Sequence, residues 1–333
     1  MDIYELTKSL IGIPSISGAE EKIADYLNDL LKREGFETKI QQVEKNRKNI
    51  FARTGEKTPV VFCTHMDTVP PYFGPSEDEH FIYGRGACDA KGIMASMMEA
   101  ARELKREGGG EIGLLFVVGE ERDSIGAKKS HSLQADSRYI VLGEPTENKL
   151  GRAHKGMLLM RIKAEGRASH SAYPELGESA VEKLMDTLEE LRRANLGEDR
   201  VLGKTFLNIG SIEGGIAPNV VADQAQAEVS LRTVWPSEKV LSVIKNVLPG
   251  RVSLEILTQT EPQQLFTLPS FPQTTLPYGT DIPHLKGWGK PLLLGPGKGS
   301  LAHTPKEKIG KKELKEAVRT YKNLARELLE LKT

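Results

Sequence analysis

The chain has 333 residues, a length that suits about two domains of ~150 residues. Its 46 Lys and Arg balance 46 Asp and Glu, so it carries no electrostatic footprint for nucleic acid or an anionic membrane. No apolar run approaches the ~20 residues that span a bilayer, the N-terminus does not read as a signal peptide, and Cys63 and Cys88 alone give no disulfide framework, so a cytoplasmic protein is expected.

In chain order, 2–12 and 18–34 read as helices, the second closed by Gly35, and 36–43, 49–53 and 59–64 read as strands. The stretch 89–110 has apolar residues at helical spacing and ends in glycines; strands follow at 111–118 and 138–142. This is an α/β layer around a central sheet. From Gly156 the rhythm changes to strand, helix, strand, strand, helix, strand, ending in "RVSLEILTQT". That order is the ferredoxin-like βαββαβ pattern. A second domain at 156–260, inserted into a first made of 1–155 and 261–333, is therefore expected. The first domain resumes through a proline-rich connection, a short helix near 281–287, a strand at 291–294 and a helix at 310–331.

Chemistry-bearing residues gather at the ends of the expected strands. "LLFVVGEERDS" runs from apolar residues straight into Glu120 and Glu121. Adjacent carboxylates repel unless something positive offsets them, although a solvated loop could also carry them. "VVFCTHMDTVPP" ends on His65 and Asp67, which share a face of an extended chain; they suit either a metal ligand with its orienting carboxylate or an ordinary loop. Asp89 precedes a helix and could simply cap it. Glu144 stands in a turn before Pro145, and His303 in a loop before the last helix. In open α/β sheets ligands bind at the C-terminal ends of the strands, and His65, Asp89, Glu121, Glu144 and His303 at one rim are more than separate loop roles explain. Two imidazoles with several carboxylates suit divalent transition metals. Asp89, Glu121 and Glu144 bring three negative charges, and a bridging hydroxide would supply the fourth against two divalent cations. Glu120 is then left over.

The motifs "HMDTVP", "YGRGACDAKG", "GEERDSIGA", "GEPT" and "AHTPKE" stand in this order along the chain. With them the sequence resembles the dinuclear zinc amidohydrolases that include acetylornithine deacetylase, succinyl-diaminopimelate desuccinylase, aminoacylase-1 and glutamate carboxypeptidase, over essentially its whole length. The resemblance implies a catalytic domain with a mixed sheet flanked by helices and an inserted lid and dimerisation domain. It implies two divalent metals, zinc first, with cobalt and manganese as alternatives. Asp89 would bridge them, His65 and Glu144 would complete one site, and Glu121 and His303 the other. Asp67 would orient His65. Glu120 would be the general base and acid.

In the inserted domain, "GRASHSAYPELGESA" carries His170 where the family places a histidine that polarises the substrate carbonyl. In dimeric relatives that histidine reaches the partner's active site, so a homodimer is implied. "GGIAPNVVAD" carries Asn219, and "AEVSLRTV" carries Arg232, whose guanidinium could grip a substrate carboxylate. The proline-rich 261–281 segment departs from the family, where a helix usually precedes Gly-Thr-Asp. The expected activity is hydrolysis of the amide bond of N-acyl amino acids, of the acetylornithine deacetylase or succinyl-diaminopimelate desuccinylase type, because the third carboxylate is a glutamate in "GEPT". A carboxypeptidase or dipeptidase acting on short peptides is the alternative. A catalytically silent metal-binding protein is the reading from another class, and the presence of Glu120 argues against it.

Overall fold

Three apolar segments set the architecture. Val60–His65, Ile112–Val117 and Tyr139–Leu142 lie parallel, with Val60–His65 between the other two. The computed structural model describes residues 1–109, 111–133, 136–248 and 252–331; Gly110 and Arg251, expected at the end of a helix and the start of a strand, lie outside them. Lys290–Leu293 adds a fourth parallel strand beside Tyr139–Leu142. Arg47–Arg53 and Glu37–Glu44 extend the opposite side antiparallel. The result is one mixed sheet of six strands.

Alternation along the strands decides what each face packs against. Val60, Phe62, Ile112, Leu114, Phe116 and Val141 join one buried cluster with Leu27, Met97 and Leu104, and the Phe62 ring lies 5.1 Å from that of Tyr321 in the final helix, Lys311–Glu330. On the other face Phe51 packs against the wholly buried Trp288, with ring centroids 5.7 Å apart. Each large apolar side chain taken out of water contributes roughly 1.5–3 kcal/mol. The helix Lys91–Arg106 buries Ile93, Met94, Met97, Ala101 and Leu104 at helical spacing and ends on Lys105 and Arg106, cations placed at the negative end of its dipole. Its N-cap is Ala90, with no side-chain cap bond, so Asp89 is not employed as a cap.

The chain divides into two units: Met1–Arg152 with Leu265–Thr274 and Thr280–Thr333, and Ala153–Gln264 with Thr275–Gly279. The second unit begins three residues before Gly156 and ends four after Thr260, because Gln263–Gln264 pairs with Ala153 and His154. The proline-rich connection thus contains strand, and the expected helix near 281–287 is a single 3₁₀ turn, Ile282–His284, with Pro283 at its start. In the second unit, Phe206–Gly214, Gln224–Thr233, Gly156–Glu165 and Val252–Thr260 form an antiparallel sheet in that order. The helices Ala180–Arg193 and Ser237–Val247 cover one face, burying Leu184, Leu188, Leu191, Val240 and Ile244 against Leu158, Met160, Val229 and Leu231. This is the βαββαβ topology. Among the described residues no helix is long and apolar enough to cross a membrane.

Candidate metal centre

Register brings the candidate residues to one rim. His65 closes its strand opposite Val117, and Cys63 lies opposite Leu142. The chain leaves these parallel strands towards Glu120 and Glu121 on one side and Glu144 on the other. Gly119 turns with φ +80°, and a Cβ there would meet Arg47 and Asp123 at 2.5 and 2.8 Å, so glycine is required for the turn that presents the paired glutamates. Gly143 donates to the Cys63 carbonyl at 2.7 Å and accepts from the Thr64 hydroxyl at 3.0 Å, which fixes the start of the Glu144 loop.

Asp89 sits between two imidazoles, one oxygen for each. Its Oδ1 lies 3.1 Å from His65 Nε2 and its Oδ2 lies 3.4 Å from His303 Nε2. His303 Nε2 also lies 2.8 Å from Glu121 Oε1. Ligand atoms of His65, Asp89 and Glu121 all fall within 4.8 Å of one another. Glu144 is 4% exposed, and its Oε1 is buried with no hydrogen-bond partner. A buried acceptor without a donor is costly, and a cation would satisfy it.

Asp67 acts mainly on the backbone. Its main-chain carbonyl lies 2.9 Å from His65 Nδ1, whereas its carboxylate is 3.6 Å from that nitrogen, too far for a hydrogen bond. The carboxylate instead accepts the N–H groups of Gly119, Glu120 and Glu121 at 2.9, 3.1 and 3.2 Å and the Ser17 hydroxyl at 2.6 Å. The ring tautomer of His65 is thus set by a carbonyl, and the paired-glutamate turn by a buried carboxylate.

The electrostatics report an excess of negative charge. Glu120 and Glu144 are pushed well above the usual carboxylate range, first by burial, then by the charge of Glu144 on Glu120 and of Asp89 on Glu144. Burial also raises Glu121, with His303 pulling it back. Burial alone would raise Asp89, but hydrogen bonds from His303 and His65 more than offset it and hold it low. Burial disfavours a charged His65, yet Asp67 and Asp89 carry it well above an ordinary imidazole. Asp89 and Glu121 lift His303 to about 10. Apart from Asp89, these carboxyls and imidazoles are all displaced upward, the mark of surplus negative charge that a cation would offset. Two imidazoles and three carboxylates, one of them with an orphaned buried oxygen, therefore fit divalent metals.

Two further groups belong to this neighbourhood. Asp281 is wholly buried, its carboxyl pushed up to about 6 by burial, and its charge raises both Glu120 and Glu144. Glu307 is buried against Arg85. Both Arg85 and Glu307 lie inside quoted motifs, but nothing in the linear pattern pairs positions so far apart.

In the second unit, His170 and Asn219 are exposed neighbours: His170 bridges Val220, and the Ser171 N–H donates to the Asn219 carbonyl at 3.0 Å. Ala172 donates to His170 Nδ1 at 3.0 Å, which leaves Nε2 for other work. Arg232 is half-buried and lies opposite Met157, whereas His170 follows Glu165, the last residue of the same strand. Glu165 lies eight positions beyond Met157, so Arg232 stands about 27 Å from the strand end that leads to His170, at ~3.4 Å per residue. Within one chain the sheet keeps these two groups apart.

Known proteins share this sequence pattern and fold. Residues 61–327 match Peptidase family M20/M25/M40. A peptidase M20 domain-containing protein of Schizosaccharomyces pombe is 38% identical over 97% of this chain and 84% of its own length. A probable carboxypeptidase of Aspergillus flavus is 36% identical over 95% of this chain and 88% of its own. In fold, the aminopeptidase PepT of Bacillus cereus superposes with a TM-score of 0.84 at 22% identity, covering 98% of each chain. With the family matched across both units of the fold and the rim that carries the paired glutamates, the chain belongs to Peptidase family M20/M25/M40.

Proposed function

We propose that the chain is a metal-dependent hydrolase of amide bonds whose amine half carries a free carboxylate. The observation that carries this reading is the division of Asp89 between His65 and His303, one oxygen each. A carboxylate so placed suits a pair of divalent cations, zinc first, with His65 and Glu144 on one side and Glu121 and His303 on the other. When bound, such ions polarise the scissile carbonyl and acidify the attacking water. The chain's own residues do the rest. Glu120, half-buried and held by its own N–H to Asp67, takes the water's proton and delivers it to the leaving amine. Arg232 grips the substrate carboxylate, and His170 and Asn219 hold the oxyanion of the tetrahedral intermediate. The inserted unit acts as lid and dimerisation surface.

This chemistry covers N-acyl amino acids and the C-terminal bond of short peptides alike. The name carried by the Aspergillus relative favours the carboxypeptidase side over a dedicated deacetylase. A chelator-treated sample assayed with N-acetyl and N-succinyl amino acids, dipeptides and N-blocked peptides, with zinc, cobalt or manganese restored, tests the reading. Release of free amino acid only with metal supports it; no metal-dependent hydrolysis of any of these compounds overturns it.

A further inference from the structure

Arg85 and Glu307 are each 1% exposed, and the steps above use neither. The two oxygens of Glu307 have separate partners. Oε2 receives Arg85 Nη1 at 2.5 Å. Oε1 receives three main-chain N–H groups, from Gly86 at 2.9 Å and from Cys88 and Asp89 at 3.3 Å each. Converging N–H groups of this kind form an anion-binding nest, and here the anion is a side chain of the same chain. Arg85 is itself pinned, its Nε donating to the Pro71 carbonyl at 3.3 Å and its guanidinium stacked 5.1 Å from the Phe73 ring. The cation therefore fixes one oxygen of Glu307 and aims the other at the turn that ends in Asp89. Glu307 also lies four residues beyond His303 on the same loop, and its carbonyl accepts from Gly84 at 3.3 Å.

We propose that Glu307 is a positioning residue for the metal centre. Through its Oε1 it sets the Gly86–Asp89 turn so that the Asp89 oxygens divide between His65 and His303, and it ties the loop of one ligand to the loop of another. A buried ion pair by itself is a weak stability device and is often replaceable by apolar groups. The reach of Oε1 to three amides is what the metal site needs; the charge is secondary. This inference rests on the metal-dependent reading above.

Two variants separate reach from charge. Glu307→Asp keeps the charge and withdraws the carboxylate by about 1.5 Å. Arg85→Met combined with Glu307→Gln removes both charges and keeps the Oε1 acceptor in place. Metal-free wild type and variants are titrated with cobalt, with dissociation constants read from the visible spectrum and melting temperatures recorded alongside. Glu307→Asp should weaken cobalt binding about tenfold or more, the usual scale for a group that orients a ligand, while the double variant stays within about threefold of wild type. Wild-type affinity in Glu307→Asp, or a tenfold loss in the double variant, overturns the proposal. If Glu307→Asp does not fold, the double variant decides alone: retained affinity supports the proposal and loss overturns it. A wild type that binds no cobalt removes the metal-dependent reading itself, an outcome distinct from a wild type and variants that bind equally well.

Discussion

The Asp67 carboxylate accepts the main-chain N–H of Glu120 at 3.1 Å, so the first histidine motif physically holds the turn that presents Glu120. With Gly119 and Glu121 it gathers three N–H groups on one buried side chain. Asp67→Ala leaves these donors without an acceptor, at about 1–3 kcal/mol for each that water does not reach. We expect kcat to fall about 10–100-fold, with a clear drop in unfolding free energy by chemical denaturation. Ser17→Ala removes only one donor to the same group and should be mild by both measures. Unchanged kcat in Asp67→Ala would show that the turn holds without it.

The adjacent glutamates face different partners, and their variants should differ in kind. Glu121 lies 2.8 Å from His303, while Glu120 has no such imidazole contact among the described residues. Glu120→Gln should keep two metals and lose turnover, because an amide cannot shuttle a proton. Glu121→Gln should lose part of its metal. Metal content by atomic emission beside steady-state rates checks both, and full activity in Glu120→Gln would remove the assignment of the base.

Much of the site was legible in the sequence because each of its residues ends an apolar strand or opens a loop, and strand ends are local features. Parallel register sets His65 beside the strand that leads to Glu121, and the turn before the Lys91–Arg106 helix adds Asp89; the motif order anticipates this set without showing distances. Three relationships were not legible. The Asp67 carboxylate accepts from the backbone of residues 119–121, and backbone donors leave no mark on composition. Glu307 meets Arg85 across 222 positions of sequence. The separation of Arg232 from His170 depends on which residues lie opposite one another in the sheet. The proline-rich connection was misleading for a related reason: its short strand forms only because Ala153 and His154 offer an edge to pair with.

Protonation should compete with metal. His303 is held up at about 10 by Asp89 and Glu121, so the metal-free protein keeps a proton there at neutral pH that a cation must displace. Cobalt binding should release protons, visible as a dependence of the calorimetric enthalpy on the buffer's ionisation enthalpy, and affinity should fall as pH drops below about 10. The sign for stability is opposite. A pKa raised from 6.5 to about 10 contributes stability that is full below 6.5 and is lost as pH rises through about 10. The metal-free protein should therefore melt lower at pH 10 than at pH 6.5. Metal binding with no change in bound protons would contradict the assignment of His303 as a ligand.

Recognition of a free carboxylate by Arg232 has a direct signature in substrates. C-terminally amidated compounds should react poorly with the wild type, and Arg232→Ala should lose activity on the free acids until the two series react alike. A bidentate guanidinium–carboxylate contact is charge-assisted and worth roughly 1.5–3 kcal/mol, which is about 10–150-fold in kcat/KM. Equal wild-type rates on acids and amides would give Arg232 another role.

The distance between Arg232 and His170 bears on how the site is completed. The two lie towards opposite ends of the Gly156–Glu165 strand and its Gln224–Thr233 neighbour, and the strand end that leads to His170 is about 27 Å from Arg232 at ~3.4 Å per residue. A small substrate cannot touch both within one subunit. If both serve one substrate, they come from two copies of the chain, and a symmetric dimer supplies each site with Arg232 from its own subunit and His170 from its partner. Mixing two inactive variants tests this. In a heterodimer of Glu120→Ala and His170→Ala subunits, one site lacks both groups. The other keeps its own Glu120 and borrows the partner's intact histidine, so it should turn over. Random exchange makes about half the dimers mixed, each with one working site, so activity should recover to about one quarter of wild type. Recovery only when exchange is allowed, and none when the dimers are cross-linked before mixing, supports histidine donation between subunits. No recovery despite exchange shown by native mass spectrometry would mean that His170 serves its own subunit, and that Arg232 then binds no part of the same substrate.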